Sequence, residues 1–439
     1  MSRLPASFRV FFLTFAAYTL SAQIWSHAVS LAPHYVYLAD ALLHGHVNLI
    51  QLPPTTYDLL HFNGRWFVAG SPMPSILMLP FVVIFGVGFS DVLFSVVLGA
   101  IAVALVYSLL GIFANCADTE TQRIIGKTPC LSASVVISES ARRWITLLFA
   151  LGTPFWYLAS LGTYWFTAHV VVVFFALLAT REALTKQRWF LVGLWLACAG
   201  FARPTALLLT PFFLMVIFYA ARHTNDRPRT AHFVMRNVAL FGITIALGIG
   251  AHFVYNYARF KSFTDFGYAY VTGASNITSV YARYGGFNPR FVPCNLAVSL
   301  FSPPEVNGAV PTFITQACAY LLEGVNLSDA SAPITPNPLG MSVFFATPAL
   351  LLIFTAFKRD PLIIAAWIGL LATLIPLWLY HNTGSLQFGW RYLFDAAPMW
   401  IILLAVGMQK VTRLKQGLIL VSVAINLWGM LWMFEKLNG

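Results

Sequence analysis

The chain has 439 residues, 59% of them hydrophobic and only 9% charged. Soluble domains carry about 25% charged residues, so a water-soluble globular fold is excluded, as are a disordered chain and a nucleic-acid binder, despite a formal net charge of +11. The 38 Phe, 17 Tyr and 13 Trp suit a membrane protein with aromatic belts at its interfaces.

A bilayer core needs about 20 apolar residues per helix. In chain order the apolar runs predict eleven spans: Phe8–Val29, Val92–Asn115, Trp144–Ser160, Tyr164–Thr180, Trp189–Gly200, Thr205–Ala220, Asn237–Tyr257, Met341–Phe357, Leu362–Tyr380, Tyr392–Met408 and Gln416–Phe434. The N-terminal MSRLPASFR and its apolar run lack a small-residue cleavage site and read as an uncleaved first span. The run Pro74–Phe89 is short and opened by proline, so it either crosses or lies as a re-entrant or surface helix. Five cysteines, Cys116, Cys130, Cys198, Cys294 and Cys318, show neither metal spacing nor a paired framework and read as small apolar residues.

Charge decides how Pro74–Phe89 runs. If it does not cross, the N-terminus is cytoplasmic and residues 1–9, 116–143, 181–188, 221–236, 358–361 and 409–415 lie inside. These segments hold 18 of the 26 Lys and Arg with six acids, against eight basic and nine acidic residues elsewhere. That is the positive-inside pattern. A crossing would turn every later basic loop outward. The expected architecture is therefore all-α, a single polytopic domain over residues 1–439 with about eleven transmembrane helices. Two long extracytoplasmic loops follow, residues 30–89 with amphipathic surface helices and residues 258–340.

Polar groups at membrane depth are costly and are functional candidates by default. Here they collect on the outer side. Tyr35–His44 has helical spacing, with Tyr37, Ala41 and His44 on one face and Leu38 and Leu42 on another, and Gly45 stops it. Asp40 lies on this surface helix, while Asp58 and Arg65 follow in TTYDLLHFNGRWF. Tyr164, Trp165 and His169 open an inward span. Arg203 stands just before Pro204, where the helix must break. Arg259, Lys261 and Asp265 lie in YNYARFKSFTDFGY, and His381, Gln387, Arg391, Tyr392 and Asp395 in HNTGSLQFGWRYLFD. Arg65, Arg203, Arg259 and Arg391 are expected anion clamps, because the guanidinium fork bonds phosphate bidentately. An Asp beside an outer cavity is suited to general-base work on a hydroxyl.

Plainer readings stand beside these. Arg65 and Asp40 suit solvated surface charges. Asp58 suits a helix cap for LLHF. Arg391 and Asp395, at i and i+4, suit an intrahelical pair, and His169 suits a packing residue. The histidines lack zinc-site spacing, so no metal ligand is assigned, although divalent-metal use stays open.

The order of motifs resembles the GT-C superfamily of polytopic glycosyltransferases, comprising the protein O-mannosyltransferase-like enzymes and the bacterial aminoarabinose and lipopolysaccharide glycosyltransferases. The resemblance runs over nearly the whole chain, through YLADALLHG, GRWFVAGSPMPSILMLPFVVIFG, LGTYWFTAHVVVVFFALLA, LVGLWLACAGFARPTALLLTPF, YNYARFKSFTDFGY and QFGWRYLFDAAPMWIILLA, of which the last two are the more specific. It implies an inner-membrane enzyme in the lipid bilayer that transfers a sugar from a polyprenyl-phosphate carrier to an extracytoplasmic lipid, glycan or protein. Many relatives carry an acid just after the first span. Here that stretch is SLAPHYVY, with Pro33 and His34, so the implied base falls to Asp58 or Asp40. Arg203, Arg391 and Arg259 would hold the carrier phosphate. A flippase for a lipid-linked or anionic solute, or a catalytically inactive GT-C relative, are the alternatives.

Overall fold

The computed structural model describes residues 5–115, 135–221, 227–322, 332–384 and 386–438. Cys116, Cys130, Arg3, Arg123, Lys127 and Arg222 lie outside them. The fold is mostly helical, and each apolar run overlaps helical elements, although the first helix ends at Ala22 instead of running to Val29. Among the described residues six helices are long and apolar enough to cross a membrane: Asp91–Ala114, Tyr164–Leu184, Pro204–Ala221, Thr230–Phe260, Pro361–Trp378 and Arg413–Asn438. A seventh arises if Glu139–Leu151 and Phe155–Leu161, bent by 52°, form one span. α1 (Ala6–Ala22) and the Trp189–Ala202 helix are apolar but shorter.

The predicted span Met341–Phe357 is not a continuous α-helix. It is a single turn, Val343–Ala346, followed by a 3₁₀ segment, Pro348–Thr355. Pro348 lacks an N–H and interrupts the ladder between them. The run from Pro74 corresponds to a 13-residue helix, Met73–Phe85, with Pro80 inside it and a 3₁₀ turn after it. Thirteen residues rise about 20 Å, short of a roughly 30 Å hydrocarbon core.

Local chemistry explains where helices start. Ser138 accepts the N–H of Ala141, and Asp360 accepts those of Leu362 and Ile363 with Pro361 in the first turn. Gly162 (φ +67) ends the Phe155–Leu161 helix, and a Cβ there would stand 2.5 Å from the Val92 backbone. This close approach sets where the Tyr164–Leu184 helix begins. That helix packs between Asp91–Asn115 and Trp189–Ala202, which in turn packs on Arg227–Phe260.

The segment between the first span and Asp91 folds as α2 (His34–Leu43), a hairpin of β1 (Leu59–Phe62) and β2 (Arg65–Val68), and the Met73–Phe85 helix against α2. Asp58 caps no helix, because LLHF is a strand. The β-branched and aromatic residues across the turn pair Leu59 with Val68 and His61 with Trp66. Val271 bridges to Leu60 and carries the later segment onto the hairpin's edge.

The cysteine reading is corrected as well. Cys294 and Cys318 form a disulfide, 24 residues apart and fully buried. Their spacing carries no framework signature, since the short helices between them set the approach. Mass spectrometry of an unreduced digest should recover the linked peptides. Cys294→Ser should lower stability by about 2–4 kcal/mol.

Candidate functional site

Three elements bring polar groups to one place. The first is the turn leading into β1. Asp58 sits there with φ +61, a left-handed conformation that Asp tolerates better than most residues but that still costs about 1–3 kcal/mol. Its N–H donates to the Thr272 carbonyl at 2.9 Å. The indole Nε1–H of Trp165 donates to Asp58 Oδ2 at 2.7 Å, and the Tyr164 hydroxyl approaches the Asp58 carbonyl oxygen at 3.4 Å. Burial pushes the Asp58 carboxyl above its ordinary range, while the bonds from Trp165 and Tyr164 and the charge of nearby Arg391 pull it back.

The second element is the break at Pro204. Arg203, the residue before proline, is extended (φ −148, ψ 118), as the Pro ring requires. The chain therefore leaves the Trp189–Ala202 helix and turns the guanidinium toward Asp395. Arg203 Nε donates to both oxygens of Asp395 at 3.0 and 3.1 Å. Thr205 donates to Oδ2 at 2.5 Å, and His169 Nδ1 lies 3.0 Å from Oδ1. Asp395 and His169 are fully buried, whereas the Arg203 side chain is 22% exposed. A carboxylate with three donors fixes the arginine.

The third element is the Arg391–Ala396 3₁₀ segment. The plainer reading of Arg391, an intrahelical pair with Asp395, is not what forms, since Asp395 pairs with Arg203. A 3₁₀ helix turns once per three residues, so i and i+4 point apart. Arg391 is nearly buried, and its guanidinium carbon lies 5.6 Å from the Phe166 ring centre and 5.8 Å from that of Tyr392. Arg203 lies over the same Tyr392 ring at 5.2 Å, so both cations lie near one tyrosine. Gln387 accepts the Arg391 N–H at 2.9 Å and is itself tied to the carbonyls of Leu339 and Thr383. Arg391 Nε has no hydrogen-bond partner among the described residues.

The structure thus gathers Asp58, Tyr164, Trp165, His169, Arg203, Gln387, Arg391 and Tyr392. The remaining candidates stand apart. Asp40 accepts a bond from Gln51 at 3.0 Å and lies 3.7 Å from His44 Nδ1. Arg65 is exposed at the start of β2. Arg259 is buried, and donates to Val68 O at 3.1 Å and Asn256 Oδ1 at 2.8 Å, which ties the end of β2 to the Arg227–Phe260 helix. Asp265 is used locally by Gly267 and Tyr270.

Sequence reasoning missed Thr205 and Thr272. Thr205 follows Arg203 by two residues, and the R-P-T order is its only sequence trace. Thr272 is a hairpin partner from more than 200 residues away, which no local pattern could reveal. Among the described residues no group of three His, Cys, Asp or Glu stands where it could hold a metal ion.

No protein-family profile matches the chain, and no curated protein matches it. Among solved structures it is similar to the oligosaccharyltransferase of Archaeoglobus fulgidus in the apo form. The identity there is 13%, over 98% of this chain and 55% of that one, with a TM-score of 0.48. The same organism's AglB with an inhibitory peptide and a dolichol-phosphate aligns at 12% identity, over 96% and 55%, with a TM-score of 0.42. The chain spans about half the length of these structures.

Proposed function

We propose that the protein is a membrane glycosyltransferase that moves a sugar from a polyprenyl-phosphate carrier to an extracytoplasmic acceptor. The observation that carries this reading is a half-buried carboxylate that feels the charge of Arg391, with two guanidiniums near one tyrosine. Asp58 accepts from Trp165, and Arg391 and Arg203 both lie near the Tyr392 ring. The motif resemblance to the GT-C enzymes supports the same reading.

The chemistry follows from charge. The acceptor oxygen attacks the anomeric carbon while the bond from that carbon to the carrier phosphate breaks. The electron pair leaves with the phosphate, which gains one negative charge. Arg391 and Arg203 stabilise that charge where it develops. Asp58 takes the proton of the acceptor hydroxyl. Tyr164 and Trp165 hold Asp58, Tyr392 lies against both arginines, and His169 bonds Asp395. Attack opposite the leaving phosphate inverts the anomeric centre. Arg259 holds β2, and Asp40 and Arg65 take no part in the step.

The site belongs on the outer face of the inner (plasma) membrane, with the N-terminus cytoplasmic and the C-terminus extracytoplasmic. Charge asymmetry supports this orientation. So does the Cys294–Cys318 bond, because disulfides persist in oxidising compartments. Arg391→Ala is expected to stop transfer. Mass spectrometry of carrier lipids from cells that rely on the variant should show sugar-loaded carrier accumulating. Wild-type levels of loaded carrier would remove Arg391 from the mechanism.

A further inference from the structure

His34 opens α2 fully buried, and the reaction just described does not use it. Its Nε2 lies 3.0 Å from the Tyr57 carbonyl oxygen. A carbonyl only accepts, so Nε2 carries the proton and donates. Nδ1 is then a lone pair, buried and without a hydrogen-bond partner among the described residues. Burial lowers the imidazole to about 4, with the Tyr57 bond opposing it, so the ring is neutral at physiological pH. Its face rests on Tyr164, with ring centres 4.6 Å apart.

The carbonyl that His34 grips belongs to the same peptide unit as the Asp58 N–H. That N–H is held by Thr272 O at 2.9 Å. One planar peptide is thus pinned at its oxygen by α2 and at its nitrogen by the later segment. With the plane fixed, one torsion sets where the Asp58 side chain leaves the backbone, and that torsion is the left-handed φ of +61. Gly273, next to the Thr272 clamp, has φ +85, and a Cβ there would meet the Tyr57 ring at 2.5 Å. The clamp is therefore packed tightly on both sides.

We propose that His34 is a positioning residue for Asp58, its Nε2–H and the Thr272 carbonyl gripping opposite ends of the Tyr57–Asp58 peptide so that the carboxylate stays on Trp165 and beside Arg391. Its catalytic consequence rests on Asp58 being the base, whereas the grip itself does not.

The test separates the two. The full chain, with ¹⁵N-labelled tryptophan, is placed in phosphatidylethanolamine–phosphatidylglycerol nanodiscs. The Trp165 indole resonance is assigned with Trp165→Phe. In His34→Phe the Trp165 indole proton should move upfield as its bond to Asp58 lengthens. His34→Gln, whose amide reaches as far as Nε2, should restore it. Transfer by His34→Phe, read as loaded carrier consumed in membranes, should fall roughly a hundredfold through kcat, the scale of a small misplacement of a reacting group. KM for the carrier should hold, and His34→Gln should recover most of the rate. Should His34→Phe not fold, His34→Asn, one methylene short of the carbonyl, makes the same comparison with Gln. An unmoved Trp165 resonance in both short variants overturns the proposal. A moved resonance with wild-type transfer keeps the grip and overturns Asp58 as the base.

Discussion

Asp58→Asn should abolish sugar transfer while leaving the fold and carrier binding intact. Asparagine has nearly the same shape and keeps an oxygen for the Trp165 indole, so the 2.7 Å bond has a partner in the variant. What it loses is the charge and the basicity. General-base catalysis is worth about 10²–10⁴-fold, and the arginines that hold the phosphate are untouched. A carrier-binding measurement with undecaprenyl phosphate should therefore match the wild type, while loaded carrier ceases to be consumed. The pH profile adds a second check. Burial holds the Asp58 carboxyl above the usual carboxylate range. A base works only when deprotonated, so activity should fall with decreasing pH earlier than an exposed Asp would dictate. Trp165→Phe removes a bond that favours the carboxylate, so its acid limb should lie at still higher pH. An acid limb that Trp165→Phe leaves in place would disconnect Asp58 from the rate.

Much of the fold was legible because lipid imposes a simple rule. A helix that crosses hydrocarbon needs about 20 predominantly apolar residues, and the runs within Asp91–Asn115, Tyr164–Leu184 and Arg413–Asn438 obey it. The rule weakens where the chain is not a plain helix. Met341–Phe357 is as apolar as the others, yet Pro348 and the packing of a 3₁₀ segment against Ala397–Gly407 break it. The candidate site residues were legible one by one, through the cost of burying Arg203 and Arg391, but not their pairing. Arg391 and Asp395 share a helical spacing that the 3₁₀ geometry cancels. Asp395 instead meets Arg203 across 192 positions of sequence. Asp58 was visible as an acid near the membrane, whereas its left-handed backbone and its grip by Thr272 depend on contacts 214 positions apart. The disulfide escaped for the same reason, since neither cysteine stands in a recognisable spacing.

The second large effect concerns stability rather than rate. Asp395 is fully buried and accepts from Arg203, Thr205 and His169. Asp395→Ala removes the acceptor for all three and leaves the Arg203 charge near the protein interior without its partner. Breaking a buried pair in this way costs about 3–5 kcal/mol. The Arg203 side chain is 22% exposed, so water recovers part of that and the lower end of the range is expected. The variant should melt well below the wild type in detergent, and it should also lose transfer, because nothing then orients the guanidinium beside Tyr392. If unpaired charge causes the loss, removing the charge should repair it. Arg203→Met combined with Asp395→Ala should melt higher than Asp395→Ala alone while staying inactive, a coupling between contacting residues that a double-mutant cycle measures directly. A double variant no more stable than Asp395→Ala would assign the cost to the lost Thr205 and His169 bonds instead. The carboxylate would then be a packing hub for two helices rather than the anchor of the arginine.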